Sequence, residues 1–408
     1  MKPSDGATRA IWSHDVEVPR SMPLGADRGH VEVCVIGAGI AGLTAAYLLA
    51  EQGKQVVVLD EGPIGSGQTG RTSAHLASAI DDYFTEIERM HGEQGAKLAY
   101  ESHAAAIDRI EAIAKQHGID CDFARIPGYL WAADGDAAKQ REELEREVVA
   151  ARKAGLAAEL LDDCPSSLAV RGPCVKFPNQ ARFHPMKYLI GLAAAAQRAG
   201  VRIYEDARVT EVHGRGADGP AKVSMASGDP FTADAVVVAT NVPGVIPEWA
   251  GVYFKQSPYR TYVIGMWLQP GAVEDALFWD NLDPYHYVRV KPGGSDHPHD
   301  LLVVGGDDHK TGQMPDDAAP FESLERWARD TFPAVGEVVT RWSGQVLEPT
   351  DGIAFIGRAP MKGEGVYVIT GDSGMGLTHG TLGAMLVGDL ILGRPNPWEQ
   401  LYDPERKP

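Results

Sequence analysis

The stretch Val31-Glu32-Val33-Cys34-Val35-Ile36-Gly37-Ala38-Gly39-Ile40-Ala41-Gly42 decides how this 408-residue chain reads. Its first half is a short, nearly continuous apolar run, the pattern of a strand buried on both faces of a parallel sheet. Its second half is a G-x-G-x-x-G loop. Gly37 permits the tight turn, Gly39 lets the backbone approach a pyrophosphate, and Gly42 lets a helix pack closely on the strand. Leu43, Ala46, Tyr47 and Ala50 recur at helical spacing between Ile40 and Glu51, Gly53 ends the helix, and Gln55 to Leu59 reads as a second buried strand. The helix N-terminus, with Ile40 and Ala41, then faces an anion. Asp60 closes the second strand, where a carboxylate accepts ribose hydroxyls and repels a 2′-phosphate. The pattern predicts a dinucleotide site.

Glu61 begins a continuation rich in small residues, and Gly70, Arg71, Thr72 and Ser73 extend it along a ligand longer than NAD, toward a flavin. Long helices are expected over Glu93 to His117 and Asp136 to Gly155, and another over Pro185 to Gly200. Strands are expected at Val201 to Tyr204, Arg208 to His213 and Ala235 to Val238. Between residues 253 and 304 the pattern becomes alternating and aromatic, with strands at Tyr259 to Leu268, Tyr285 to Val290 and Leu301 to Val304. Buried-strand and helix signals return at Val366 to Thr370 and Gly376 to Leu392. The fold class expected is α/β: a Rossmann-like FAD-binding domain with an inserted, largely antiparallel α+β substrate domain. The cofactor lobe is placed at residues 1–118, 182–250 and 340–408, and the substrate lobe at 119–181 and 251–339.

Composition narrows the function. Apolar residues at 44% and charged residues at 23% are those of an ordinary globular chain, and no run approaches the length of a membrane span. The first thirty residues lack the apolar core of a secretory signal, so a cytoplasmic location and no membrane partner are expected. A formal charge of −18 with no basic run argues against a nucleic-acid partner. Cys34, Cys121, Cys164 and Cys174 lack metal-site and disulfide-framework spacing and read as buried thiols, so no metal is expected.

Three further segments carry a likeness. Ala207-Arg208-Val209-Thr210, Val236-Val237-Val238-Ala239-Thr240-Asn241 and Thr370-Gly371-Asp372-Ser373-Gly374-Met375-Gly376-Leu377-Thr378, with the glycine loop, make the chain resemble the D-amino-acid-oxidase-like superfamily of FAD-dependent oxidoreductases over nearly its whole length. The resemblance implies FAD as cofactor, the Val209 backbone at the adenine, and Ala239 and Thr240 near the adenosine and pyrophosphate. It implies Gly371, Asp372, Gly374, Met375, Gly376, Leu377 and Thr378 beneath the flavin pyrimidine, with amides of the helix start stabilising negative charge there. Gly371 to Gly374 also looks like a serine-protease nucleophile loop, but no His and Asp stand in that family's contexts. The nearer resemblance is to the glycine/D-amino-acid oxidase branch related to gamma-glutamylputrescine oxidase. Its members often carry a Rieske iron–sulfur domain, whose ligand pairs occur nowhere in this sequence.

The implied activity is oxidation of the C–N bond of a small amine or amino-acid substrate by hydride transfer to flavin N5, with oxygen, a Rieske protein or another acceptor taking the electrons. The alternative is an electron-transfer flavoprotein working with a separate Rieske partner. Tyr285, Tyr287 and Arg289 alternate on one strand, so they share a face that either lines the substrate cavity or packs the sheet. Arg260, Tyr262 and His309 are comparable candidates. His75 either lies over the flavin, where relatives can attach it covalently, or packs locally. The resemblance puts a carboxylate-clamping Arg where Val346 stands, and an oxygen-activating Lys near Leu301 to Val304, which has none. Glu348 either recruits an ammonium group or serves as a surface or capping residue.

Overall fold

A computed structural model of the chain describes residues 8–24, 29–133, 136–217, 219–228, 230–242, 244–246, 254–294, 298–313, 318–360 and 363–407. The opening run forms the strand His30–Ile36, flanked in parallel by Val56–Leu59 and Phe231–Val238. Arg202–Glu205 and Val366–Thr370 extend the parallel set on its two sides. The apolar runs are continuous because both faces are covered. Val33, Val35, Val56 and Val58 enter the main core, while Cys34, Ile36, Val57 and Leu59 enter a second core across the sheet. Each such side chain contributes about 1.5–3 kcal/mol on burial.

Ile36 stands level with Leu59 on one side and Val238 on the other. The residues that follow, Gly37, Asp60 and Ala239, therefore emerge together at the carboxyl edge, where α/β sheets bind ligands. The helix Ile40–Glu51 rises from this edge and packs on the helices Gly376–Ile391 and Pro185–Arg198.

A second sheet runs in the order Val335–Pro349, Gln256–Leu268, Asp300–Lys310, His286–Lys291, Leu277–Asp280, Ala124–Trp131, Cys174–Arg182 and His75–Leu76, with Glu159–Leu161 beside Cys174–Arg182. All its pairings are antiparallel except that of Leu277–Asp280 with Ala124–Trp131. The helix Ala318–Thr331 covers one face through Phe321, Leu324 and Ala328.

The helix expected from Glu93 starts earlier, at Phe84, and is interrupted at Gly92, whose φ of 72° is not helical. Glu147 holds its start by accepting the N–H groups of Phe84 (2.8 Å) and Thr85 (3.1 Å). Cys174–Arg182 and Val335–Pro349 carry no plain strand signal: the first contains Lys176, Pro178 and Asn179, and the second is a long edge strand with exposed charges. His75–Leu76 and residues 340–349, expected in the cofactor lobe, pair in the second sheet. The expected boundary at 250/251 lies outside the described residues.

Candidate active site

Between the carboxyl edge of the first sheet and the inner face of the second lies a cavity of about 890 Å³. Every expected cofactor-binding residue lines it except Gly42, Gly70 and Gly371. Those three sit one layer back and keep chains close. A Cβ on Gly42 would stand 1.9 Å from the Gly37 carbonyl oxygen, one on Gly70 2.4 Å from that of Gly65, and one on Gly371 2.9 Å from Gln256 Oε1.

At the edge of the first sheet Asp60 is held by backbone amides: Ala38 N–H donates to Oδ2 at 2.6 Å and Gly62 N–H to Oδ1 at 2.9 Å. Burial raises this carboxyl, and the amides oppose the rise. Each oxygen keeps a lone pair for a ligand hydroxyl. Ile40 N–H, in the first turn of its helix, donates to Thr69 Oγ1 at 3.1 Å, leaving the Thr69 proton to be donated outward. A second helix start faces the same cavity, since Gly374 to Thr378 line it and no side chain caps Gly376–Ile391. One elongated cavity thus meets two positive helix ends, joined by a wall of small residues. That donor set fits FAD, with its pyrophosphate at the first helix and its flavin at the second.

His75 lines the cavity with both ring nitrogens engaged. Nε2 lies 3.2 Å from the Val288 carbonyl oxygen and must carry the proton, so Nδ1, 3.0 Å from Ser73 Oγ, accepts. Burial, with the Arg289 charge, pushes it down to about 3, so it is neutral. Arg71 is taken up by the carbonyls of Ser343 (2.6 Å) and Thr8 (3.1 Å) and the Thr8 hydroxyl (3.0 Å).

The second sheet supplies an acidic, aromatic wall. Tyr285, Tyr287, Trp279, Thr261, Asp81 and Asp308 line it. Tyr285 Oη donates to Asp81 Oδ2 at 2.6 Å, and Tyr287 Oη lies 2.6 Å from Thr261 Oγ1. Burial pushes both Asp81 and Asp308 up to about 7; the Tyr285 hydroxyl opposes this at Asp81, and the Thr261 hydroxyl at Asp308. Asp308 Oδ1 is buried without a hydrogen-bond partner.

Asp308 was not among the sequence candidates, and a β-bulge explains both its arrival and the loss of His309. Arg260 pairs with His309 and Tyr262 with Gly306, so Thr261 alone opposes Asp307 and Asp308. Asp307 takes a φ of 52° in this bulge. The extra residue re-aims the strand, as bulges beside sites do. Asp308 turns into the cavity, while the His309 ring stacks on Tyr262 at 5.4 Å, within the group that meets Phe321 of the covering helix. The expectation that Arg260 and His309 line the substrate wall is corrected: neither borders the cavity.

Arg289 is also corrected. It lies past the end of the cavity, two residues beyond Tyr287, and its Nη1 donates to the carbonyls of Ala74 (2.7 Å) and Phe183 (3.0 Å). Glu348 does not line the cavity either. Ser373 Oγ lies 3.0 Å from its Oε2 and 2.8 Å from Asp82 Oδ2, so Glu348 anchors the Gly371–Gly376 loop. Burial and nearby carboxylates raise Glu348 well above its usual range. Val346 stands in the cavity wall. The pair Gly305-Gly306 before two aspartates was the one sequence sign of a bulge.

Comparison with known proteins agrees with this geometry. The family model described as FAD dependent oxidoreductase (DAO) matches residues 32–390. Gamma-glutamylputrescine oxidoreductase of Escherichia coli is 29% identical over 383 residues, 89% of this chain and 84% of its own. A Bacillus subtilis protein assigned by name to the Rieske 2Fe-2S iron–sulfur proteins is 28% identical over 402 residues, 98% of this chain and 76% of its own. Among solved structures, glycine oxidase from Geobacillus kaustophilus superimposes with a TM-score of 0.78 at 19% identity, over 93% of this chain and 99% of that one. No described helix is long and apolar enough to cross a membrane. The chain belongs to the DAO family of FAD-dependent oxidoreductases and is an enzyme.

Proposed function

We propose that the substrate is a small amine without an α-carboxylate. The observation that carries this reading is the wall around Asp81 and Asp308: two half-buried carboxylates beside Tyr285, Tyr287 and Trp279, with no lysine, with Arg71 already engaged, and with the cavity's other arginine, Arg208, beside Glu61 and Val209 at the first sheet. Such a wall attracts an alkylammonium ion through charge and aromatic faces and offers no cation to a carboxylate. Val346, at the position where the family resemblance implies a clamping Arg, supports the same choice.

Asp81 and Asp308, poised near neutrality, suit proton transfer. An ammonium group bound between them gives a proton to a carboxylate oxygen and becomes the neutral amine. Tyr285 keeps Asp81 in place, and the apolar parts of Trp279 and Val263 exclude water. FAD, held by the Gly37–Gly42 loop, Asp60 and the Gly374–Thr378 helix start, would supply the two-electron acceptor for hydride removal from the carbon beside nitrogen, leaving a substrate imine that water would hydrolyse to a carbonyl compound and ammonia or a smaller amine. The name of the Bacillus subtilis relative supports a Rieske-type protein as one acceptor of the electrons.

The test is anaerobic mixing of the FAD-loaded protein with a panel of monoamines, diamines and amino acids, followed by loss of flavin absorbance. Amines should bleach the flavin at least about tenfold more efficiently than the matching amino acids. Bleaching by none of them, or faster bleaching by amino acids, overturns the reading. Hydrogen peroxide formed on re-aeration distinguishes oxygen from a protein acceptor.

A further inference from the structure

Past the end of the cofactor cavity lies a second pocket of about 220 Å³, walled by Trp12, Asp122, Arg182, His184, Arg289 and Lys291. Its cations are unequally matched. Arg182 Nη2 grips Asp275 at 2.6 Å, Lys291 lies 3.3 Å from Asp15, and the neighbouring Lys187 lies 3.0 Å from Asp122. Arg289 has no carboxylate partner among the described residues. It is 1% exposed, held by the carbonyls of Ala74, Phe183 and Val290, and its guanidinium sits 5.3 Å over the Trp12 ring. Burial and the Arg182 charge push it down to about 9, with Asp275 and Asp122 opposing from beyond ion-pair distance, so it keeps a charge that no carboxylate meets directly, which is costly.

His184 adds a donor. Its Nδ1 accepts Lys187 N–H at 3.2 Å, which fixes the neutral ring's proton on Nε2. That N–H is buried without an acceptor. Burial, with the charges of Lys187 and Lys291, pushes the imidazole down to about 4, so it acts as a neutral donor.

We propose that this pocket binds a small oxyanion, the carboxylate or phosphate group of a ligand, through the Arg289 guanidinium and the His184 Nε2–H. The site reaches the cofactor through one chain segment. Trp12 Nε1 donates to the Thr72 carbonyl at 2.6 Å and Arg289 Nη1 to the Ala74 carbonyl at 2.7 Å, while Thr72, Ser73 and His75 line the cofactor cavity. Ala74 itself is held at a φ of 66°, a conformation that needs outside support. An anion that fixes Arg289 fixes this segment, and the coupling is reciprocal: the anion tightens FAD by the same factor as FAD tightens the anion. The inference does not depend on which substrate the enzyme oxidises.

The experiment titrates FAD-loaded protein with sodium phosphate and, separately, sodium acetate, by calorimetry at constant ionic strength set with chloride. In the loaded protein the cofactor's own pyrophosphate fills the glycine-loop site, so that site does not report. One saturable site per chain is expected, with FAD bound about fivefold or more tightly at anion saturation. Arg289→Gln and His184→Asn should each weaken the anion at least about tenfold. Asn retains an N-cap acceptor, so His184→Asn stands even where Arg289→Gln does not fold. Binding of phosphate alone identifies a phosphate group and binding of acetate alone a carboxylate, and either supports the site. No saturable binding of either, or binding undiminished in His184→Asn, overturns it.

Discussion

Replacing Gly42 with alanine tests the reading of the glycine loop at its tightest point. The added Cβ would stand 1.9 Å from the Gly37 carbonyl oxygen, 3.0 Å from its carbon and 3.2 Å from Val35 Cγ1. Ordinary contact begins near 3.4 Å, so helix and loop must part by about 1.5 Å, and no rotamer relieves it because the nearest obstacle is backbone. Overpacking of this kind costs about 1–3 kcal/mol of stability. The same shift carries the helix start away from its anion, stretching a hydrogen bond of ordinary length beyond 3.5 Å. Losing one such charge-assisted bond weakens FAD about tenfold to a hundredfold. Gly388→Ala is the control: it lies within the helix Gly376–Ile391, its Cβ meets nothing within 4 Å, and it should gain about 0.5–1 kcal/mol without changing FAD affinity. Flavin-fluorescence titration and urea denaturation read both quantities. Gly42→Ala binding FAD within twofold of the unsubstituted protein, at equal stability, refutes the reasoning.

The other expectations follow from the cavity wall. Gly305→Ala would set a Cβ 2.1 Å from Tyr287 Cε2, so the Tyr287 ring must leave the wall; flavin reduction by an amine should slow about tenfold or more while FAD affinity stays within threefold, and unchanged reduction would contradict the placement of Tyr287. Asp81 and Asp308 are protonated below about pH 7 and lose the charge that holds an ammonium group, so stopped-flow reduction efficiency should rise about tenfold from pH 6 to 8 and then level off. A profile that keeps climbing past pH 9 would assign the titration to the amine itself. With both nitrogens of His75 already hydrogen-bonded, acid precipitation should release all flavin into the supernatant; flavin retained in the pellet would show covalent attachment.

The cofactor half of the site was legible because backbone encodes it. Glycines at fixed spacing, strand ends in register and an uncapped helix start leave marks in sequence whatever the distant chain does, and Ile40–Glu51 and Val366–Thr370 appear with the bounds their periodicity suggested. The substrate half depends on side chains brought together from far apart. Tyr285 and Tyr287 were readable as aromatic residues on one face, but whether that face met the cavity depended on register. Arg289 shares the face and still misses, because the cavity ends before it. His309 was a candidate and Asp308 was not, and a bulge of one residue, which regular alternation cannot anticipate, reverses which side chain faces inward. Asp81 had no motif at all. It follows a turn-rich stretch and gains meaning from Tyr285, which comes from a different sheet strand region of the chain.

The pattern of paired and unpaired charges separates structure from site. Two buried arginines that hold the fold together are closed by carboxylates: Arg406 meets Asp351 through Nε at 2.7 Å and Nη2 at 2.8 Å, and Arg182 meets Asp275 through two nitrogens. Removing one partner from such a pair leaves an uncompensated charge and costs several kcal/mol, so closure is what a structural role requires. Asp308 and Arg289 differ from those two pairs and stand on adjacent strands, with Val288 and Tyr287, paired with Val304 and Gly305, between them. The first is an acid with an unpartnered buried oxygen in the cofactor cavity, the second a guanidinium with no carboxylate at ion-pair distance in the pocket beyond it. Their opposite signs call for opposite ligands, an ammonium group at the bulge and an oxyanion behind Ala74, and the Thr72–His75 segment that both sites touch is the part of the chain through which one would feel the other.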